Sequence, residues 1–297
     1  MFTRFAAPLV SALFVLFGCA TAPIPANAPV SQVQPAPKPA PKIALVLGGG
    51  AVRGFAHIGV IKTLEAHGIV PDIMVGTSAG SVVGALYAGG YSGFELQKIA
   101  LQLEQDSVGD WALPDRGFIK GEMLQNFINK ALQNRAIEKL NKPFAAIATD
   151  LQTGEAMAFR RGNTGMAVRA SSSIPGVFQP VTIGGREYVD GGLVSPVPVK
   201  AARAMGADIV IAVDISGKPK ITRLNDSIDI MLQAFSIMGQ TIGRYELAEA
   251  DVVIRPQTGM IGATEFDRKH LAIMEGEKAA LAALPLIRSK LQKAGGT

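Results

Sequence analysis

The feature that most constrains the fold of this chain is a serine, Ser78, between two glycines. Gly76 and Gly80 flank it in a G-x-S-x-G pattern, with an apolar run at 73–75 before it and a helix-like segment at 81–87 after it. Glycines there permit a sharp turn and leave the serine hydroxyl exposed at the start of a helix. The pattern predicts a nucleophile elbow in an α/β protein, although small-residue turns also arise without catalysis.

Short apolar runs alternate with segments of helical periodicity along the chain. Strands are predicted at 42–47, 73–75, 144–149, 156–160, 209–213 and 252–254, and helices at 54–67, 94–104, 120–135, 225–248 and 265–291. The last helix is expected to be interrupted or kinked near Pro285, because proline cannot donate the helical hydrogen bond. This alternation predicts a three-layer α/β/α sandwich with a mainly parallel central sheet.

A second glycine cluster, Gly48 to Gly50, lies between the first predicted strand and the next helix. Backbone N–H groups in such a loop can converge on an anion. A dinucleotide loop is one interpretation, but Gly54 comes one residue late for G-x-G-x-x-G, and Asp72 precedes its strand instead of ending it. In a hydrolase the same N–H groups would form an oxyanion hole.

Asp190 ends a strand-like run and is followed by Gly191 and Gly192. One interpretation is a turn aspartate that binds its own backbone, and the other is a catalytic acid held at a loop edge. The order Ser78, Asp190, His270 would fit a hydrolase triad.

The surroundings of the three histidines weaken that triad. His270 lies in a charged stretch that favours a solvated helix face. His57 is expected to pack or cap beneath the glycine loop, and His67 is expected to end a helix.

Together these motifs resemble the patatin-like phospholipases. The similarity covers about residues 42–199 and includes the loop at 48–54, the elbow at 76–80, Asp190-Gly191-Gly192 and the stretch 168–178 that leads to the aspartate. The resemblance implies a Ser–Asp dyad without histidine, in which Ser78 is the nucleophile and Asp190 the base.

The resemblance also implies roles for the glycine loop. Gly49, Gly50 and Ala51 would donate hydrogen bonds to the oxyanion, and Arg53 would support the loop. No cofactor is implied. The chain shows no metal site, because no His, Cys and carboxylate residues cluster at ligand spacing.

The N-terminus is typical of an exported, lipid-modified protein. Residues 1–18 predict a signal peptide, and the segment ends in a lipoprotein-like box whose cysteine, Cys19, is the only one in the chain. An ordinary signal peptide or an unprocessed tail is the alternative. Residues 19–41 then form a Pro/Ala-rich linker that would reach roughly 60 Å at about 3.1 Å per residue. The catalytic domain is expected at 42–297.

These observations predict a membrane partner reached through a lipid anchor. Ala20 follows Cys19, which favours the periplasmic face of a bacterial outer membrane. The formal charge is +5, without a dense Lys/Arg run, so no nucleic-acid partner is expected. The sequence does not indicate an oligomeric state.

Two functions remain open from the sequence. The first is a serine acyl hydrolase that releases fatty acid from a phospholipid or another lipid ester. Apolar residues of the helix at 225–248 could line its acyl pocket or belong to the core, namely Ile228, Met231, Leu232, Phe235, Met238 and Ile242. The second is a non-catalytic periplasmic lipoprotein that binds a lipid or a protein.

Overall fold

A computed structural model describes Gly18 and residues 40–103, 119–217, 227–262 and 265–295 of the 297-residue chain. The chain divides into two units, Met1–Pro37 and Lys38–Thr297, and the fold described below is that of the second. Cys19 and the linker up to residue 39 lie outside the described residues.

The described strands form one eight-stranded mixed sheet in the order β5-β6-β3-β2-β1-β7-β8, with β4 also paired to β3. The strands are β1 (Ile43–Leu47), β2 (Ile73–Thr77), β3 (Phe144–Asp150), β4 (Ala156–Phe159), β5 (Val181–Ile183), β6 (Arg186–Asp190), β7 (Ile209–Val213) and β8 (Val252–Ile254). Strands β3, β2, β1, β7 and β8 run parallel, and β4, β5 and β6 pair antiparallel beside them.

Helices cover both faces of this sheet. They are α1 (Phe55–Ala66), α2 (Ala79–Ala88), α3 (Gly93–Gln102), α4 (Glu122–Ala131), α5 (Thr164–Ser171), α6 (Val199–Ala204), α7 (Ser227–Leu247) and α8 (Lys269–Gly295). Alternate side chains of β1 point to opposite faces, so Leu45 packs with α1, α2 and α8 while Val46 packs with α6. Both side chains are fully buried, which confirms the three-layer sandwich.

Strand β3 fixes the geometry that matters most for function. Its Ala146 pairs with Gly76 of β2 and with β4, while its Ala148 pairs with Asp190 of β6 and with β4. Since β4 occupies one edge of β3, strands β2 and β6 must share the other edge. They approach each other end to end, because Thr77 pairs with Ile147 and Asp190 pairs with the next residue.

The predicted strands and helices that fall on described residues are all present, within a few residues at their ends. An interruption of the last helix at Pro285 is wrong, because α8 continues through that residue, whereas a kink there stays a prediction. Pro285 cannot donate the helical hydrogen bond to the carbonyl of Leu281, a residue that is half exposed. The sequence patterns missed α5, α6 and β5, which are three to eight residues long.

None of the described helices combines the length and the apolar character that a bilayer crossing requires.

Candidate active site

Ser78 and Asp190 are brought together by the junction of β2 and β6. Ser78 follows the last residue of β2, and Asp190 is the last residue of β6, beside consecutive positions of β3. The space between the two strand ends is tight, since a Cβ on Gly191 would collide with the Ile147 carbonyl oxygen. Strand register alone therefore places the two predicted dyad residues next to each other.

The backbone of Ser78 has the strained conformation of a nucleophile elbow. Its φ of 53° and ψ of −125° lie in a region that side chains other than glycine rarely adopt. Strain of this kind persists only where the surroundings enforce it, and it is typical of functional sites. Gly76 and Gly80 make the turn possible, because a Cβ on Gly80 would strike the carbonyl oxygen of Leu47.

A run of serines at the end of α5 holds both dyad residues. The Ser78 N–H donates to Ser171 Oγ at 2.9 Å, and the Asp190 N–H donates to the Ser173 carbonyl oxygen at 2.8 Å. Ser171 Oγ in turn donates to the Ile147 carbonyl at 2.5 Å. These serines fall within the stretch 168–178 that resembles the family, but no role was predicted for them. Their occurrence as three consecutive residues is the sequence signal that could have pointed to them.

The Asp190 carboxyl group is buried, with 1% of its surface exposed. Its Oδ1 accepts a 2.7 Å hydrogen bond from the Gly192 N–H, whereas Oδ2 accepts none from the described residues. Burial raises the pKa of Asp190 to about 6, and the nearby Ser78 side chain and the Gly192 N–H offset part of that rise. The side chains of Ser78 and Asp190 are thus adjacent without a hydrogen bond of ordinary geometry, a common state of substrate-free sites.

The backbone N–H groups of the glycine loop differ in whether they have a hydrogen-bond acceptor among the described residues. Gly48 N–H donates to the Val213 carbonyl and Gly49 N–H donates to the Pro196 carbonyl, both at 3.0 Å. The N–H groups of Gly50 and Ala51 make no hydrogen bond to the described residues. Gly50 and Ala51 therefore stay candidates for donating to an oxyanion.

The expectation that Gly49 donates to the oxyanion is wrong in this structure, because its hydrogen already has an acceptor. Gly49 contributes by its small size instead, since a Cβ there would lie 3.3 Å from the Cβ of Ser78.

Arg53 and His57 follow this loop in the chain. Arg53 Nε donates to the Ile215 carbonyl at 3.0 Å, and burial lowers the pKa of Arg53 while Asp214 opposes that change. His57 is fully buried and bonds through Nε2 to the Gly48 carbonyl at 2.8 Å. Burial lowers its pKa to about 4, so the ring is neutral and Nε2–H donates. His57 thus bonds to the glycine loop directly, whereas Arg53 bonds to Ile215, and a supporting role of Arg53 stays a prediction.

The other two histidines lie outside the site. His67 Nδ1 contacts the Thr63 carbonyl at the end of α1, and His270 is exposed, with Nδ1 beside the Asp267 carbonyl. No histidine lines the candidate pocket in the described part of the chain. The arrangement thus favours a dyad over a histidine triad.

The dyad opens into a pocket of about 130 Å³. Its lining includes every predicted dyad and oxyanion residue, together with residues of α7: Gly49, Gly50, Ala51, Arg53, Ser78, Asp190, Leu232, Phe235, Ser236, Gly239 and Gln240. A larger depression of about 670 Å³ lies beside the start of β3 and contains none of the predicted site residues. The smaller pocket is the candidate active site because the reactive groups converge there.

Helix α7 only partly fits the predicted acyl-pocket wall. Leu232 and Phe235 line the pocket, and Met231 lies against Gly176, but Met238 is half exposed on the outer side. The Ile228 side chain lies outside the description. Within the described residues, no three His, Cys, Asp or Glu side chains are placed to hold a metal ion.

Comparisons with known proteins show which family this chain resembles. An uncharacterized NTE family protein of Mycobacterium tuberculosis is 37% identical over 180 residues, 60% of this chain and 50% of the relative. Another from the same organism is 31% identical over 269 residues, 82% of this chain and 46% of the relative. The patatin-like phospholipase domain-containing protein 6 of Mus musculus is 35% identical over 184 residues, 59% of this chain and 14% of the relative.

The chain thus spans about half the length, or less, of these relatives. Among solved structures, VipD from Legionella pneumophila shares the fold with a TM-score of 0.52 at 13% identity, over 83% of this chain and 67% of VipD. Residues 45–203, more than half of the chain, match the family described as patatin-like phospholipase. The chain therefore belongs to the patatin-like phospholipase family.

Proposed function

We propose that this protein is a serine acyl hydrolase that cleaves ester bonds of phospholipids or other lipids with a Ser78–Asp190 dyad. One observation carries the proposal: a strained serine and a buried, half-unpartnered aspartate meet at the β2–β6 junction. A carboxylate with an ordinary pKa near 3.9 is a weak base, and burial of Asp190 raises that pKa to about 6. Such a group can accept a serine proton at neutral pH.

In the first half of the reaction, Asp190 Oδ2 takes the proton as Ser78 Oγ attacks the ester carbonyl. The amides of Gly50 and Ala51 then donate to the developing oxyanion, a contribution of about 3 kcal/mol for each donor. When the tetrahedral intermediate collapses, the C–O bond to the alcohol breaks and Asp190 returns the proton to the leaving oxygen. The products are an acyl-Ser78 enzyme and the free alcohol.

In the second half, Asp190 takes a proton from water, and the hydroxide attacks the acyl carbonyl. The same two amides stabilise the second oxyanion, and the proton returns to Ser78 Oγ as the fatty acid leaves. Only one carboxyl group shuttles protons in both halves, so no histidine is required.

A lipid substrate is supported by helix α7. Its inner side contributes Leu232 and Phe235 to the pocket, and its outer side exposes Ile230 and Ile237 by about half of their surfaces. A pocket of about 130 Å³ holds an ester group and the first part of an acyl chain. The rest of the lipid must stay outside it, near this apolar helix.

We also propose that Cys19 anchors the protein by a lipid in the bacterial cell envelope, at the periplasmic face of the outer membrane. The chain enters β1 at Ile43, at the opposite end of the parallel strands from Ser78. A linker that reaches roughly 60 Å would let the domain turn its pocket to the membrane. Incorporation of labelled palmitate that is lost in Cys19→Ser would support the anchor, and equal labelling of both would contradict it.

The activity is tested with a fluorophosphonate probe and a short-chain p-nitrophenyl ester. We expect labelling at Ser78, located by peptide mass spectrometry, and a loss of turnover by a factor of about 10⁴ or more in Ser78→Ala. Circular dichroism should show the same fold for both proteins. Folded wild-type protein that neither reacts with the probe nor turns over the ester would favour the non-catalytic lipid-binding alternative.

A further inference from the structure

Glu246, near the end of α7, is a buried acidic residue that the dyad mechanism does not use. Only 7% of its surface is exposed. Its carboxylate accepts two hydrogen bonds, from Ser195 Oγ to Oε1 at 2.5 Å and from the Val197 N–H to Oε2 at 2.9 Å. Burying a carboxyl group is costly unless it is hydrogen-bonded, so this arrangement needs an explanation.

The segment 195–197 that Glu246 holds is bonded directly to the active site. Thr77 Oγ1, next to the nucleophile, donates to the Ser195 carbonyl at 2.8 Å. Gly49 N–H donates to the Pro196 carbonyl at 3.0 Å. One short segment therefore supports both the end of β2 and the glycine loop.

The face of α7 that carries Glu246 also packs against this segment. Gly243 lies about one turn before it and Gly239 about two turns before it, and a Cβ on either glycine would meet Pro196 at about 4 Å, an ordinary van der Waals distance. This side of α7 therefore lies within packing distance of Pro196, and Glu246 adds two hydrogen bonds to the same segment. Packing and polar contacts thus converge on the same three-residue segment.

We propose that Glu246 is a positioning residue for acyl transfer, whose ionised carboxylate fixes segment 195–197 and thereby aligns Ser78 with the free amides of the glycine loop. The inference rests on the proposed function, because it concerns the rate of the same reaction. Glu246 does not line the pocket, so it acts only through the segment that it holds.

The donors and acceptors around Glu246 explain why the ionisation of its carboxyl group matters. An ionised carboxylate accepts strong, charge-assisted hydrogen bonds from both the Ser195 hydroxyl and the Val197 amide. A protonated carboxyl group accepts only a weaker bond from the amide, and its O–H takes the place of the Ser195 hydroxyl as donor, so that hydroxyl loses its acceptor. Burial raises the pKa of Glu246 to about 7, and Glu249 adds to the rise. The hydrogen bonds from Ser195 and Val197 and the charge of Lys200 on α6 oppose it. Protonation near neutral pH would therefore loosen segment 195–197.

The test compares Glu246→Gln with the wild-type enzyme on a soluble ester across pH. The glutamine keeps the shape but cannot ionise. We expect kcat to be about tenfold lower than wild type at about pH 8, the size of one lost buried hydrogen bond. The ratio should approach one at about pH 5.5, because the wild-type carboxyl group is then protonated as well.

Ser195→Ala supplies a second test that keeps the carboxylate. It removes one of the hydrogen bonds that hold the pKa of Glu246 down, so the corresponding fall in kcat should move to higher pH. Glu275→Gln is the matched control, since Glu275 lies on α8, pairs with exposed Lys278 at 2.7 Å and is not among the charges that act on Glu246. It should keep the wild-type rate and profile.

A Glu246→Gln to wild-type ratio that stays constant across pH would overturn the proposal, because a purely structural loss does not depend on the charge of Glu246. An unmoved profile in Ser195→Ala would overturn it as well, and this second result stands even if the glutamine variant fails to fold. The proposed function fails in a different way, namely when wild-type protein has no turnover and no probe labelling.

Discussion

The segment that matches the family and the helix α7 that follows it contribute to the active site in different ways. Residues 45–203 hold the proposed nucleophile Ser78, the proposed base Asp190 and the glycine loop, all of them at strand ends. Helix α7 lies beyond that match and supplies the apolar side of the pocket and the buried Glu246. The contrast separates the groups that react from the groups that shape and hold the site, and each can be disturbed alone.

The largest expected effect within the matched segment is that of Asp190→Asn. We expect turnover to fall nearly as far as in Ser78→Ala, by a factor of about 10⁴, because the amide cannot accept the serine proton. Near-normal turnover of an ester by this variant would exclude Asp190 as the base and contradict the proposed dyad.

Asp190→Asn should also be more stable than wild type at about pH 8. The folded-state pKa of Asp190 is raised, so the native state binds more protons than the unfolded state and stability falls as the pH rises through about 6. Removing the buried charge should raise the free energy of unfolding by on the order of 1–3 kcal/mol. Thermal unfolding measures this change, and a lower melting temperature would contradict it.

The pH dependence of nucleophile activation gives the next largest effect. The base form of Asp190 prevails above its pKa of about 6, so the rate of fluorophosphonate labelling should fall about tenfold per pH unit below that value. If the labelling rate instead fell with a midpoint near pH 4, the carboxyl group of Asp190 would not be desolvated when the reagent binds.

Phe235→Ala tests whether α7 sets the fit of the acyl chain. Removing the ring from the pocket should raise KM for long-chain esters about tenfold, while a short-chain ester is turned over almost as before. Ile237→Ala is the matched control, because Ile237 is on the outer side of the same helix. Equal losses on both ester lengths would instead assign Phe235 to the reacting region.

The smallest expected effect is that of His270→Ala. Its side chain is exposed and contacts the Asp267 carbonyl, away from the pocket. Turnover should stay within about twofold of wild type, as for most surface substitutions. A loss comparable to that of Ser78→Ala would restore the histidine triad.

The sequence predicted most of the parallel strands, because they depend on local signals, and local signals also marked Ser78 and Asp190 as candidates for the reaction. Apolar runs define β1, β2 and β7, and glycines mark the turns where backbones must come close. Pattern reasoning missed α5 and β5 because short elements have little periodicity of their own and are held by tertiary contacts.

Other features of the site depend on pairing between segments that are distant in the chain. Such pairing cannot be predicted from the local patterns of a single sequence. The meeting of β2 and β6 on one edge of β3 is a property of register. The acceptor for Gly49 N–H is the Pro196 carbonyl, so that amide could not be judged free or bound from the loop alone. Glu246 likewise looks like an ordinary helix residue until its partners are known.

The end-to-end meeting of β2 and β6 also bears on how such proteins can diversify. Two residues far apart in sequence take their separation from neighbouring positions of a third strand, not from the chain that connects them. Insertions or deletions between α2 and α5 can therefore lengthen or reshape surface loops without retuning the distance between serine and aspartate. Proteins with this strand arrangement can therefore change their substrates by changing loops, while the serine and the aspartate keep their positions.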